Sequence, residues 1–368
     1  MYVETKPRSE RRGPRVERLR NVDGLIVYDI PSAPVSGGGT RLAPDVTEAE
    51  MRLLARAMSY KLAVLGLPIG GAKIGLRASP ELRGEVIDGY RDEIAPRLAS
   101  GALMTGPDLG TSEQDFVGLP TPGGEDGIVA AAADGVPGEE LLTGCGVAAA
   151  LAAALGGDLA GRTLALEGFG KMGASIARAV DRRGARIVAV STVAGCAIAP
   201  PGRSFPLDQL LEARHAWGDD MVFQLGVPLG AHAALWAVAC DALVPGARAG
   251  VLGQSCAARV EARVVVPVGN APYTAAGLEV LRSRGVAAHA DFVASAGGAM
   301  AYLNPRVAQA HSLDEAQEAL EETMGALVRE TLADERGPYA GAVAIAERFL
   351  RSWLPVADRP AGPPLAKQ

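Results

Sequence analysis

Apolar positions along the chain follow two different periods. Between Glu48 and Leu65, the residues Met51, Leu54, Met58, Leu62 and Leu65 recur at helical spacing and mark one inward face. Thr47, with Glu50 three residues later, forms a capping box that starts this helix, and Pro68 is expected to end it. From about residue 135 to 310 the pattern changes: short apolar runs such as Thr163–Glu167 and Arg186–Val190 alternate with helical stretches, as in parallel βαβ units. Helical spacing returns at Leu320, Met324, Leu327, Val328 and Leu332, inside a last block from Ser312 to about Trp353 that reads as two amphipathic helices joined at Gly337–Pro338. The chain is therefore expected to be α/β with two domains, an N-terminal α/β domain over 1–130 and a parallel-sheet domain over 135–310. The segment from Asp126 to Glu139 reads as their connection, and the closing residues 312–368 are expected to pack back on the first domain.

Length supports this division, because 368 residues exceed what one hydrophobic core usually holds. An apolar fraction of 48% and a charged fraction of 21% belong to an ordinary globular protein. A net charge of −6 argues against nucleic acid as a partner, and the basic stretch from Lys6 to Arg15 reads as a solvated end. No apolar run approaches the roughly 18 residues that span a bilayer, so no membrane partner is expected. The charged N-terminus has no apolar core after it, so a cytoplasmic location is expected rather than secretion. Cys145, Cys196, Cys240 and Cys256 lack metal-ligand spacing and read as reduced thiols, with no metal site.

Chemistry first shows between the two apolar runs of the second domain. The strand Thr163–Glu167 leads into Gly168-Phe169-Gly170-Lys171-Met172-Gly173, then a helix from Ala174 to about Arg183, then Gly184 and a second strand from Arg186. Strand, G-x-G-x-x-G, helix and strand make the Rossmann-type dinucleotide fingerprint: the glycines permit a tight turn and close approach of a pyrophosphate, and the helix N-terminus offers N–H donors to it. An acidic residue normally ends the second strand and takes the ribose hydroxyls of NAD. Here Ser191 and Thr192 stand there, with no carboxylate until Asp208. A 2′-phosphate would meet no repulsion and two hydroxyl donors, so either NAD or NADP is expected as cofactor, with NADP tolerated.

The first domain concentrates cations in an apolar setting. Lys61 follows Met58 by three residues and lies on or beside the inward helical face, where it reads by itself as a snorkelling lysine at the edge, since lysine is rarely buried unless paired. Twelve residues later Lys73 ends Leu67-Pro-Ile-Gly-Gly-Ala-Lys73, where the glycines are expected to form a confined turn open to a ligand. An ammonium desolvated there, near a second cation, is expected to have a lowered pKa and to serve as acid, base or electrostatic catalyst. Asp108 lies in Thr105-Gly106-Pro107-Asp108-Leu109-Gly110-Thr111, where by itself it reads as a turn residue, and a second capping box, Thr111 with Gln114, is expected to start the next helix.

Taken in order, these segments resemble the glutamate/leucine/phenylalanine/valine dehydrogenase family, closer to its leucine, valine and phenylalanine members than to those acting on glutamate. The resemblance runs from about Gly37 to Met300 through Gly38-Gly39-Thr40-Arg41, the helix ending at Lys61, the segment ending at Lys73, and the Asp108 loop. It continues through Thr143–Val147, Glu167–Gly173, Cys240–Ala247, Gly269–Thr274 and Ser295–Gly298. It implies reversible oxidative deamination of an L-amino acid to a 2-oxo acid and ammonia in a homo-oligomer, with the N-terminal domain serving for substrate binding and oligomerisation and an active-site cleft between the domains. Lys61 would hold the substrate carboxylate, Lys73 would assist water attack, and Asp108 would shuttle protons. Thr143 and Asn270 would lie near the nicotinamide and its ribose. Gly37 stands where glutamate-specific members carry a lysine, which disfavours an acidic side chain. Gly106, Ala299 and Ala301 match pocket positions and are small, which favours a bulky or unusual neutral one. Ser295 replaces the usual asparagine. Two other readings stay open: a biosynthetic reductase of imines or 2-oxo acids, and a regulatory member without turnover.

Overall fold

The computed structural model describes residues 13–120, 132–133 and 136–367. Two compact units divide the chain, one made of residues 1–121 and 345–364, the other of residues 122–344 and 365–368. The basic stretch from Lys6 lies mostly outside the described residues, as does much of the connection expected at 126–139.

In the first unit, β1 (Arg15–Arg18), β2 (Gly24–Tyr28), β3 (Ser36–Gly37), β4 (Thr40–Leu42), β5 (Gly70–Leu76) and β6 (Leu103–Met104) form one six-stranded sheet. Its order is β1-β2-β5-β3-β6, with β4 also on β5; β1, β2 and β5 are antiparallel neighbours, whereas β3 and β4 run parallel to β5. Helices α1 (Glu48–Val64) and α2 (Arg83–Ala99) cover its two faces. Strand alternation sorts the side chains: Leu25 and Val27 join Met51, Leu54 and Ala55 of α1, while Ile26, Tyr28, Ala72, Ile74 and Leu76 join Ile87, Tyr90, Ile94 and Leu98 of α2. Because Ala72 and Ile74 face α2, Lys73 between them faces α1.

Helix α1 starts as expected, with the Thr47 hydroxyl accepting from the Glu50 N–H. It ends earlier than expected, at Val64, where Gly66 at φ +70° turns the chain before Pro68 is reached. Lys73 is not on a turn; it sits inside β5, whose seven residues are all buried. The glycines before and after it serve packing. A Cβ on Gly71 would stand 2.1 Å from the Ala55 carbonyl oxygen, and one on Gly75 would stand 2.6 Å from Val46, so α1 lies directly on the strand backbone. Ser59 fastens the two by accepting from the Gly71 N–H (3.0 Å) and donating to the buried Asp29 (2.7 Å), which Arg56 also pairs.

The second unit opens with the short antiparallel pair β7 (Ala132–Ala133) and β8 (Val136–Pro137), then α3 (Gly138–Ala154). Its main sheet contains β9 (Thr163–Glu167), β10 (Arg186–Thr192), β11 (Gly195–Ile198), β12 (Leu229–Gly230), β13 (Ala242–Val244), β14 (Val264–Val265) and β15 (Ala287–Ala288). The order is β12-β11-β10-β9-β13-β14-β15, parallel from β10 to β15 and antiparallel at the β11 and β12 edge. The strand order reverses at β9, so the gap between the carboxyl ends of β9 and β13 is a topological switch point. The helices are α4 (Lys171–Asp181), α5 (Leu207–Trp217), α6 (Gln254–Ala257), α7 (Ala275–Ser283), α8 (Asp291–Ala294), α9 (Gly297–Leu303), α10 (Pro305–Ala308) and α11 (Leu313–Leu332).

Helix α11 is capped by Ser312 and buries Leu320, Met324, Leu327 and Val328, as its pattern predicts; Leu332 stays exposed. It packs on α3, inside the second unit, rather than on the first. Helix α12 (Pro338–Trp353) starts in the second unit and continues in the first, where Glu347 accepts from the Tyr60 hydroxyl and the Gly362 carbonyl accepts from Arg56. Only residues 345–364 of the closing block therefore join the N-terminal unit; the apolar face of α11 is matched to α3. No helix among the described residues is long and apolar enough to cross a membrane, and none of their His, Cys, Asp and Glu side chains cluster as a metal site.

Candidate active site

Lys73 and Asp108 meet in the first unit. The Lys73 ammonium lies 2.9 Å from Asp108 Oδ2, and Arg41 Nε donates to the same oxygen at 3.0 Å. Arg41 is held in turn by Glu50 Oε1 at 2.6 Å. Three cues in the chain make this geometry. Thr111 receives the Asp108 N–H (2.9 Å) and donates to the Thr40 carbonyl (2.8 Å), which fixes the Asp108 loop against β4. Gly39 keeps the space open, since a Cβ there would stand 3.0 Å from Asp108 Cβ and 3.4 Å from Lys73 Nζ. Gly38 is glycine because a Cβ would stand 1.8 Å from the Ala72 carbonyl oxygen.

Burial lowers the Lys73 pKa, partly opposed by the charge of Asp108, and Arg41 pushes the same way as burial. Burial pulls the Asp108 carboxyl upward, but Lys73 and Arg41 together outweigh it and hold the group well below the usual carboxylate range. A lysine whose pKa burial lowers thus meets a carboxylate that stays ionised.

Lys61 is buried in the last turn of α1. Met58 and Leu62, beside it on the helix, stand 3.2 and 3.9 Å from Cβ positions on Gly38 and Gly37. Lys73 and Gly37–Gly39 therefore belong to the layer between α1 and the sheet, and Lys61 is buried on α1 three residues after Met58. Around Gly37 the neighbours are Met104, Ile69 and Leu62, all apolar, and beside Gly106 there is open space.

Sequence reasoning missed Arg41 and Glu50 as members of this site, although Arg41 closes the Gly38–Arg41 motif and Glu50 was the expected cap partner. Glu50 instead turns its carboxylate to Arg41. The capping box expected from Thr111 and Gln114 is formed by Ser112 and Asp115, at a short 3-10 helix (Glu113–Phe116), because Thr111 is committed to the Asp108 loop.

In the second unit the glycine loop follows β9 as expected. Gly168 has φ +85°, a Cβ on Gly173 would stand 2.4 Å from the Gly168 carbonyl oxygen, and Gly170 has open space beside it. Phe169 is buried in the core and Met172 is half-buried. Helix α4 begins at Lys171 with no side chain capping its N-terminus, so its first N–H groups remain open to an anion. Lys171 itself pairs with Glu140 at 3.1 Å. A bare, close-packed glycine cradle at a switch point fits a dinucleotide pyrophosphate.

The strand-end hydroxyls behave differently from expectation. The Thr192 hydroxyl donates to the Asp219 carbonyl at 2.6 Å and is committed there, whereas the Ser191 hydroxyl is fully buried and has no hydrogen-bond partner. Thr143 donates to the Glu139 carbonyl (2.8 Å), and a Cβ on Gly298 would stand 2.9 Å from its hydroxyl oxygen. Asn270 precedes Ala271, which has φ +47° and donates its N–H to the buried Asp291 at 2.8 Å. A positive φ at alanine stores strain of the kind found near ligand sites. Ser295 donates to the Asp291 carbonyl (2.7 Å); Ala299 is half-buried, whereas Ala301 lies in the core.

Family models match two stretches, the Glu/Leu/Phe/Val dehydrogenase dimerisation domain over residues 19–119 and the Glutamate/Leucine/Phenylalanine/Valine dehydrogenase domain over residues 135–346. The chain belongs to this family of amino acid dehydrogenases. The NAD-specific glutamate dehydrogenase A of Halobacterium salinarum is 31% identical over 79% of this chain and 71% of its own length. The NADP-specific glutamate dehydrogenase of Saccharolobus shibatae is 28% identical over 71% of this chain, which spans 65% of that relative's length. Among solved structures, the hetero-hexameric glutamate dehydrogenase of Thermus thermophilus, in a leucine-bound form, has a TM-score of 0.75 at 27% identity and covers 94% of this chain and 91% of its own. Of these relatives, one is named for NAD and the other for NADP.

Proposed function

We propose that this chain catalyses reversible oxidative deamination of a neutral L-amino acid to its 2-oxo acid and ammonia. The buried contact of Lys73 with Asp108 at 2.9 Å carries this reading. Lys61 holds the α-carboxylate as a cation in an apolar layer. Lys73, once neutral, takes the proton from the water that adds to the imino carbon. Asp108 moves protons between the amino nitrogen and the site, and Arg41 keeps it ionised and aimed between turns. A nicotinamide, when bound, supplies the hydride acceptor. The glycine loop and the open N–H groups of α4 hold its pyrophosphate.

Neutral specificity rests on Gly37, whose surroundings are Met104, Ile69 and Leu62. A side-chain carboxylate there would lose its hydration without gaining a cation, which costs more than any apolar side chain would. Open space beside Gly106 favours a bulky group. We infer that the chain assembles with copies of itself through the N-terminal unit, since that stretch matches the dimerisation domain; light scattering tests this.

The functional test follows absorbance of reduced NADH and NADPH with ammonium and a panel of 2-oxo acids. Oxidation is expected with branched or aromatic acids, and 2-oxoglutarate is expected to be slower by at least tenfold, the factor set by about 1.4 kcal/mol of lost charge pairing. Equal or faster turnover of 2-oxoglutarate contradicts the neutral assignment. Absence of any turnover with a folded protein contradicts the activity.

A further inference from the structure

Glu167 is the last residue of β9, immediately before Gly168, and its side chain has no exposed surface. One oxygen, Oε2, accepts from the Gly246 and Ala247 N–H groups, both at 3.2 Å. This ties the turn after β13 across the switch point to the end of β9. Gly246 is forced by the same closeness, since a Cβ there would stand 2.5 Å from the Glu167 carbonyl oxygen. The other oxygen, Oε1, has no hydrogen-bond partner, and His232 Nε2 lies 3.5 Å from it. A buried carboxylate oxygen without a donor is costly when charged.

The surroundings supply little compensation. Residues 187–198 of β10 and β11, 242–247 around β13 and 264–274 after β14 carry no charged side chain. Lys171 on α4 is paired with Glu140 of α3, which is itself negative, and Glu139 stands beside that glutamate in sequence. Arg248 follows the turn and has partners of its own. Burial lowers the His232 pKa, so the partly exposed imidazole beside Oε1 gains no help in becoming a cation.

We propose that Glu167 is a positioning residue for the dinucleotide that works with a proton on its carboxyl group: Oε2 holds the 246–247 turn while Oε1 carries the proton toward His232. The proposal rests on the dinucleotide reading of the glycine loop. The pyrophosphate belongs at the switch point that Glu167 closes. An ionised Glu167 would put a buried negative charge beside that anion, whereas the protonated form fastens the turn without it. Burial raises this carboxyl to about 7, so the proton is lost as the pH passes through neutrality. The sign follows: binding of the anion favours the protonated form, so the dissociation constant rises with pH above the free enzyme's midpoint. The limit is about tenfold per pH unit for one linked proton.

The experiment measures NADH and NADPH dissociation constants from nicotinamide fluorescence between pH 6 and pH 9, for the wild type and for Glu167→Gln. Glutamine keeps the acceptor for Gly246 and Ala247 and cannot ionise. The wild-type constant is expected to rise by about tenfold or more across this range, while Glu167→Gln stays within about threefold. A second readout needs no variant: calorimetry of binding near pH 8, in buffers of different ionisation enthalpy, is expected to show uptake of a proton with the dinucleotide. Equal pH slopes in the two proteins, or a flat wild-type slope without proton uptake, overturn the proposal and leave the dinucleotide reading standing. No binding of either dinucleotide at pH 6 overturns both.

Discussion

At Lys73, burial and a neighbouring carboxylate pull the amine in opposite directions, and burial prevails. The proton therefore leaves Lys73 at a lower pH than the roughly 10.4 of a free lysine. The proposed deamination needs the neutral amine, so its kcat/KM is expected to rise with pH toward a midpoint below that value; a midpoint at or above about 10.4 in a pH–rate profile would contradict the role. Lys73→Ala is expected to lower kcat by a factor on the order of 10²–10⁴ while the circular dichroism spectrum stays native. Asp108 works with the opposite sign for stability. Its carboxyl is held below the unfolded value by Lys73 and Arg41 against burial, so its contribution is present above about pH 4 and lost as the pH falls from there toward the depressed folded value. The sequence made Lys73 and Asp108 legible through their motifs, but not Arg41 and Glu50. The Arg41–Asp108 contact joins residues 67 positions apart, and no local pattern announces a pairing that depends on how β4 and the Asp108 loop meet.

At the scale of elements, the glycines around Lys73 changed meaning. The sequence suggested a turn open to a ligand, because clustered glycines usually signal irregular backbone. The structure has a fully buried strand whose glycines admit α1. Gly71→Ala is therefore expected to destabilise the protein by about 1–3 kcal/mol, because its Cβ would meet the Ala55 carbonyl oxygen and push the helix off the strand. Chemical denaturation measures this, and an unchanged midpoint would show that α1 does not need the contact. Helices α1, α4 and α11 and strands β9 and β10 were legible to within a few residues, because each carries its own period and a local cap or breaker. The short strands β3, β4 and β6 were not, since two or three residues carry no period and form only through their neighbours in the sheet.

For the whole molecule, the two-unit organisation was readable from the change of period near residue 135, and the closing block was only partly so. Both closing helices are amphipathic, and amphipathicity says that a face is buried without saying against what. Helix α11 matches α3, while residues 345–364 join the N-terminal unit. The two units carry complementary chemistry: the first holds the lysines and the carboxylate, the second the glycine cradle with Glu167 beneath it. In the proposed reaction the hydrogen at the α-carbon of the amino acid passes to the nicotinamide. The most direct measurement incubates a neutral L-amino acid deuterated at the α-carbon with oxidised NAD or NADP and follows the nicotinamide C4 position by NMR. Deuterium at C4, formed together with the 2-oxo acid and abolished in Lys73→Ala, is the predicted result. Formation of the 2-oxo acid without deuterium at C4, or no reaction across neutral amino acids with either dinucleotide, would contradict the account.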